Sequence, residues 1–263
     1  MPKGEKLNKL SQDNYYTKQN KYLSNSKISD FLKDKCYFKD LHLDNTKSKE
    51  VTDAMIVGKA VDCWLTSGVN EFVSKYTLVD RSSKKDDEYE YRLNESMHEQ
   101  ITGICRAVEA TDAYKDIIDK KYKSQQIFSI DMELGNFKGL CGIPDWYRID
   151  KSRTCFIIDL KTTADADPKK YYYHCKEYGY FRQAAMYRRL IRGKYKNIKE
   201  FINLHLVVEK GEINHVFAYE LDNAEVVEAG EYLHEIIEQI KEEKDFLSPN
   251  PKWEERITIK NGY

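Results

Sequence analysis

The sequence predicts an α/β fold with a central mixed β-sheet flanked by helices. Three observations carry this expectation: helical spacing of apolar residues up to about residue 120, short runs of β-branched and aromatic residues from Gln125 onward, and a strongly patterned helix after them. The boundaries put an N-terminal helical part at about 20–120, a sheet core at about 124–221, and a C-terminal helix and tail at 222–263. All three are expected to belong to one domain spanning 1–263.

Taken in order, residues 26–38 and 53–65 read as helices. Ser26 or Ser29 offers an N-cap to the first, with Ile28, Phe31 and Leu32 at helical spacing. The polar stretch 81–90 (RSSKKDDEYE) is the candidate mobile loop, and 93–118 is a longer helical region with a less regular apolar pattern. The segments QQIFSIDME, FKGLCGIPDWYRID and TCFIIDLKT read as three successive strands separated by the turn-forming LGN and DKSR. A polar loop at 165–170 leads back to helical spacing over 179–192. Two strands follow at 201–208 and 215–221, joined around Lys210 and Gly211. The helix 223–244 then carries Val226, Val227, Tyr232, Ile236, Ile237 and Ile240 on one side. The tail LSPNPKWEERITIKNGY is irregular.

Composition removes several function classes. Lys and Arg number 43 against 44 Asp and Glu, so no whole-chain basic excess points to nucleic acid, and any polyanion must be met by a local arrangement. The 41% hydrophobic content, with 20 Tyr, argues against global disorder. The polar start and the lack of a long apolar run lead us to expect a cytoplasmic protein with no membrane contact. The six cysteines are spread without a CxxC pair, which fits reduced, mostly buried thiols. There is no HExxH helix, no GxxxxGK[ST] loop and no GxGxxG turn, so zinc proteolysis, nucleotide hydrolysis and dinucleotide binding lose their usual signatures.

The informative stretch is Gly142-Ile-Pro-Asp145 followed by Ile158-Asp159-Leu160-Lys161. Strand alternation puts Ile157, Asp159 and Lys161 on one face and Phe156, Ile158 and Leu160 on the other. A hairpin turning around 151–153 would bring the Asp145 carboxylate near that of Asp159. Two converging carboxylates repel unless one is protonated or a cation lies between them, and Mg²⁺ or Mn²⁺ suits such hard oxygen donors. The same residues also fit an edge-strand ion pair of Asp159 with Lys161, with Asp145 as a turn residue.

IPD, thirteen residues, then DLK resembles the signature of the PD-(D/E)xK nuclease superfamily. The longer string IIDLKTT…GYFRQAAMYRRL is similar to its RecE-type and phage exonuclease branch, in which a helix bearing Q-x-x-x-Y follows the strand. Here these residues are Gln183 and Tyr187, on one helix face. YLSNSKISDFLKDKCYFK resembles the branch's N-terminal helix and VGKAVDCWL its G-x-A-x-H helix, with Asp62 where a histidine metal ligand is common.

The resemblance implies a restriction-endonuclease-like core and a metal site of Asp145, Asp159 and the Leu160 main-chain carbonyl, joined by Asp62. Asp62 also fits a solvated helix residue. Lys161 would orient or help deprotonate the attacking water, and Gln183 and Tyr187 would touch the lysine, the nucleophile or the phosphate backbone, or else pack the helix on the sheet. Glu133 is a further outer-shell or metal candidate, and Gln126 a similar case. The segment carrying Arg182, Arg188, Arg189, Arg192, Lys194, Lys196 and Lys199 fits phosphate-backbone tracking or a solvated helix face. Tyr171–Tyr173 could stack bases or pack on the sheet.

The expected function is a Mg²⁺- or Mn²⁺-dependent deoxyribonuclease, foremost an exonuclease on double-stranded DNA ends in phage-type recombination or DNA processing. A recombination partner protein and a homo-oligomer are compatible with it. The alternatives are a non-cleaving DNA- or protein-binding module on a nuclease fold, or an endonuclease with the same core.

Overall fold

The computed structural model describes residues 6–7, 15, 20–78, 91–243 and 246; the stretch 81–90 and the tail 247–263 lie outside them. The N-terminal part holds strands β1 (Lys6–Leu7) and β2 (Tyr22–Leu23), helices α1 (Asn25–Lys33) and α2 (Lys35–His42), and helix α3 (Asp53–Asp62), which widens into a π-helical turn at Cys63–Ser67. Helix α4 (Val69–Lys75), strands β3 (Tyr76–Leu78) and β4 (Tyr91–Leu93), and helices α5 (Glu95–Glu109) and α6 (Asp112–Asp119) complete it.

Two predicted helices are each split at a residue whose side chain caps the second half. Residues 26–38 become α1 and α2 because Asp34 is extended and its carboxylate accepts from the Tyr37 N–H. The N-cap of α1 is Ser24, not Ser26 or Ser29: its hydroxyl accepts from Lys27 N–H. Residues 93–118 divide at Thr111, whose hydroxyl caps α6 through Tyr114 N–H, which accounts for the irregular apolar pattern there.

The β region holds β5 (Lys123–Ser124), β6 (Phe128–Leu134), β7 (Phe137–Gly142), β8 (Trp146–Ile149) and β9 (Thr154–Thr163). The expected strand FKGLCGIPDWYRID is therefore two strands, interrupted at Ile143–Asp145. Pro144 has no N–H to give a ladder, and the chain leaves one sheet there and enters another. Helix α7 (Pro168–Glu177) begins where only a polar loop was expected. Asp167 caps it and proline fills its first position, a start signal readable in the sequence. Helix α8 (Tyr180–Lys194), β10 (Glu200–Glu209), β11 (His215–Glu220) and α9 (Asn223–Glu242) follow as expected within one to two residues. On α9 the buried face is Val226, Leu233, Ile236, Ile237 and Ile240, whereas Val227 and Tyr232 are exposed.

The single mixed sheet resolves into two main sheets. A five-stranded sheet has the order β11-β10-β9-β8-β5, and a four-stranded sheet the order β1-β6-β7-β2. In the first, only β9 and β10 are parallel, with Asp159 opposite His205, while β8 and β9 form an antiparallel hairpin with Trp146 opposite Ile158. Strand alternation divides two cores across this sheet. Ile157 joins Phe128, Leu140, Tyr147, Met186 and Leu190 on one side, and Ile158 joins Val57, Val61, Ile101, Ile104 and Leu206 on the other. The helical layer α3–α6 thus covers one face, and α8, backed by the second sheet and α9, covers the other. No helix among the described residues is long and apolar enough to cross a membrane.

Gly139 fixes how closely β6 and β7 meet: it has φ +151°, and a Cβ there would lie 1.9 Å from the Ile130 carbonyl oxygen. Gly58, inside α3, has open space around it. Gly139→Ala should therefore cost more than about 2 kcal/mol of unfolding free energy, while Gly58→Ala should gain about 0.5–1 kcal/mol. Urea titration of both variants checks the contrast.

Candidate active site

Each residue of the cluster is brought by a different local device. Asp62 closes α3 where the helix widens into the π-helical turn, and its carboxylate lies near enough to Asp159 to feel its charge. Thr66 donates to the Asp62 carbonyl at 2.7 Å, and the Gln125 amide donates to both Asp62 carboxylate oxygens at 3.2 Å and to Thr66 Oγ1 at 3.0 Å. Gln125 reaches them from a left-handed backbone (φ 50°), just before the chain enters β6.

Asp145 stands in the break before β8. Its carboxylate accepts from Leu160 N–H at 2.6 Å, so a side chain continues the β8–β9 ladder past the point where the β8 backbone ends. Asp159, only 5% exposed, faces inward from β9 and is ion-paired to Lys161. The Lys161 ammonium also donates to Gln183 Oε1 at 3.2 Å and lies 4.5 Å from the centre of the Tyr180 ring. From Gln183 the chain of bonds runs on: its amide donates to Tyr187 Oη at 2.9 Å, and that hydroxyl donates to the Ile143 carbonyl at 2.8 Å. A Cβ on Gly142 would lie 2.8 Å from the Tyr187 ring, so the glycine permits this approach.

The electrostatics follow from three carboxylates and one ammonium in a poorly solvated place. Burial, and then the Asp159 carboxylate, push the Asp62 carboxyl up to about 6, against the pull of the Gln125 and Thr66 hydrogen bonds. Asp145 is raised well above the usual carboxylate range by burial and by repulsion from Asp159 and Asp62. Burial pulls Lys161 down, but Asp159, Tyr180 and Asp145 outweigh it and its pKa is raised. Behind Asp159, the His205 ring bonds through Nδ1 to the Tyr171 hydroxyl at 2.7 Å, and burial lowers its pKa to about 3, which leaves the imidazole neutral.

The donor chemistry fits a hard divalent cation: the repulsion that raises Asp62 and Asp145 is what a cation among these carboxylates would relieve. As they stand, Asp145 is turned to Leu160 N–H and Asp159 to Lys161, and among the described residues no three acidic, histidine or cysteine side chains close on one point.

The structure brings Asp62, Asp145, Asp159, Lys161, Gln183 and Tyr187 together. It leaves others out. Glu133 is exposed on β6 of the other sheet, beside a bulge between Asp131 and Leu134. The Gln126 amide turns to the adjacent Ile127 carbonyl; its neighbour Gln125 is the residue that sequence reading missed. Arg182 is buried and donates to Asn25 Oδ1 and Ser29 Oγ, tying α8 to α1 rather than facing solvent. Arg188 donates to Asn203 and Asn223, Arg189 lies 3.9 Å from Met132 Sδ, and Arg192 lies over the Phe201 ring. At about 100° per residue, Arg188, Arg189 and Arg192 sit roughly 140–240° round α8 from Gln183, so the basic run does not line the cluster. Tyr171 is buried on His205, Tyr172 donates to Glu225, and Tyr173 is exposed. Five of the six cysteines are buried and none forms a disulfide among the described residues.

Residues 24–253 match a family described as a PDDEXK-like domain of unknown function (DUF3799). The chain belongs to this family. Membership in the PDDEXK-like family agrees with the restriction-endonuclease-like core and with the motif pair on the β8–β9 hairpin. The chain is similar to a crystal structure from Eubacterium rectale described as "Putative exonuclease", with 16% identity over 97% of this chain and 96% of that one and a TM-score of 0.67; at that identity the likeness speaks for the fold alone. The structure of SSO0001 aligns over 61% of this chain and 72% of its own, at 16% identity and a TM-score of 0.28, which carries no argument. No curated protein matches the chain.

The raised pKa of Asp62 has a stability consequence. The folded state holds the proton more tightly than the unfolded chain, so metal-free stability falls as pH rises from about 4 past 6. In EDTA, Asp62→Asn should therefore be more stable than wild type at pH 8 by roughly 1–3 kcal/mol, and the gain should vanish near pH 4. Thermal unfolding across that pH range checks it.

Proposed function

We propose that the chain is a divalent-metal-dependent deoxyribonuclease that hydrolyses DNA phosphodiester bonds, working as an exonuclease on double-stranded ends. The observation that carries the reading is the meeting of Asp62, Asp145 and Asp159 with Lys161 at the open end of one hairpin, inside a PDDEXK-like domain. Mg²⁺ or Mn²⁺ would be held by these three carboxylates and the Leu160 carbonyl, and when bound would lower the pKa of a water and offset charge on the scissile phosphate. Asp159 would give up its ion pair with Lys161 to take that role, freeing the ammonium.

Lys161 then orients the attacking water and donates to the phosphate oxygens as negative charge builds on them. Gln183 keeps the ammonium on the substrate side through its 3.2 Å contact, and Tyr187 acts through Gln183 and the Ile143 carbonyl as a positioning residue. Gln125 holds the Asp62 carboxylate in reach. The exonuclease assignment and a role in phage-type recombination or DNA processing rest on the DLKTT strand followed by Gln183-x-x-x-Tyr187, with support from the description of the Eubacterium rectale protein. A recombination partner and a homo-oligomer belong to the same proposal.

A second reading, a DNA- or protein-binding module that does not cut, is favoured by the closed Asp159–Lys161 pair and by Asp62 standing where the exonuclease branch that the sequence resembles commonly has histidine. One experiment separates the readings. End-labelled linear and covalently closed circular DNA are incubated with Mg²⁺, Mn²⁺ or EDTA. Wild type should degrade the linear DNA only with metal, and Asp159→Asn and Lys161→Met should each lose about a hundredfold or more in rate. Nicking of circles would make the enzyme an endonuclease. Cleavage in EDTA, or full activity in both variants, would overturn the mechanism, and binding without cleavage would favour the module.

A further inference from the structure

A groove of about 980 Å³ lies between α8 and α9, on the flank of α8 turned away from the carboxylate cluster. Its wall carries five cations, Arg188, Arg189, Arg192, Lys196 and Lys199, against two acids, Glu200 and Glu220. Glu200 is engaged by the Thr154 hydroxyl. Arg188 is bound by the neutral amides of Asn203 and Asn223, and Arg192 rests on the Phe201 ring, so among the described residues no carboxylate neutralises either guanidinium. The two guanidinia lie close enough that Arg192 lowers the pKa of Arg188, after the larger effect of burial. Like charges held together over an open groove, without a carboxylate between them, lower their energy by taking an anion.

The floor is different. Ala185, Gly193, Val226, Val227 and Gly230 hollow it with small and apolar side chains, and Val227 is 52% exposed. A phosphate rim over an apolar floor suits a chain of nucleotides, with phosphates on the cations and bases against the floor. Bases inside a duplex are paired and stacked, so only an unpaired strand can turn them to this floor while its phosphates meet the cations. Asn203, which accepts from Arg188, also lines a small cavity with Asp159, Gln183 and Tyr187.

We propose that this groove seats a single DNA strand through its phosphates, as a second contact separate from the carboxylate cluster; the proposal rests on reading the chain as an enzyme that acts on DNA. Arg192, Lys196 and Lys199 are exposed, so their charges can be reversed without disturbing the core.

Binding of a fluorescent oligothymidylate is measured by anisotropy in EDTA, where no cleavage intervenes, across a series of salt concentrations. Arg192→Glu with Lys196→Glu should weaken binding about tenfold or more at low salt and flatten the salt dependence by about one unit per cation removed. Lys115→Glu with Lys120→Glu makes the same change of net charge on the helical layer across the sheet and should leave binding unchanged. No strand binding by wild type, unaltered binding in the groove variant, or equal weakening in both variants would overturn the groove. Metal-dependent cleavage is scored separately on wild type: strand binding lost from the groove variant in a protein that never cleaves DNA would sink the nuclease reading and leave the groove standing.

Discussion

Three carboxylates share one ammonium in a region that water reaches poorly, and most of the surrounding structure exists to hold that arrangement. Left alone, the three carboxylates would spread apart, or Asp62 and Asp145 would take up protons. Each is restrained by a neighbour: the Gln125 amide on Asp62, the Leu160 N–H on Asp145, and Lys161 on Asp159. Lys161 is itself held by Gln183 and the Tyr180 ring, and Gln183 by Tyr187. Repulsion stored in this way is useful only if something later relieves it, which is why the same cluster serves as a candidate cation site.

The hairpin and its acids were legible in the sequence because they are local. Strand alternation alone puts Asp159 and Lys161 on one face, and a short turn necessarily returns Asp145 to them. Asp62, Gln183 and Tyr187 were legible only through resemblance, since nothing in helical spacing says which remote strand a helix will meet. Gln125 escaped notice because its role depends on a left-handed residue at a chain bend, and no pattern distinguishes it from Gln126. The division into two sheets was readable at Pro144, which cannot donate to a ladder.

The basic run teaches a different lesson. Counted along the chain it looked like one stripe beside Gln183, yet the period of the helix already turns Arg188 and Arg192 away from it. Arg182 sits on Asn25 and Ser29 and does structural work that a count of charges cannot reveal. Linear charge density and surface charge are separate quantities, and here they differ by half a helical turn.

The five-stranded sheet separates two apolar cores, and the cluster draws on both: Asp62 comes from the helical layer on one face, Gln183 and Tyr187 from the helix on the other. Between Asp62 and Tyr187 lie more than a hundred residues of chain, so the cluster is closed by contacts distant in sequence, each of which must offset the entropy of ordering the chain between. A chain whose helical layer has opened carries every motif residue and yet lacks the assembled cluster, so the candidate centre is a property of the whole topology and of no single segment.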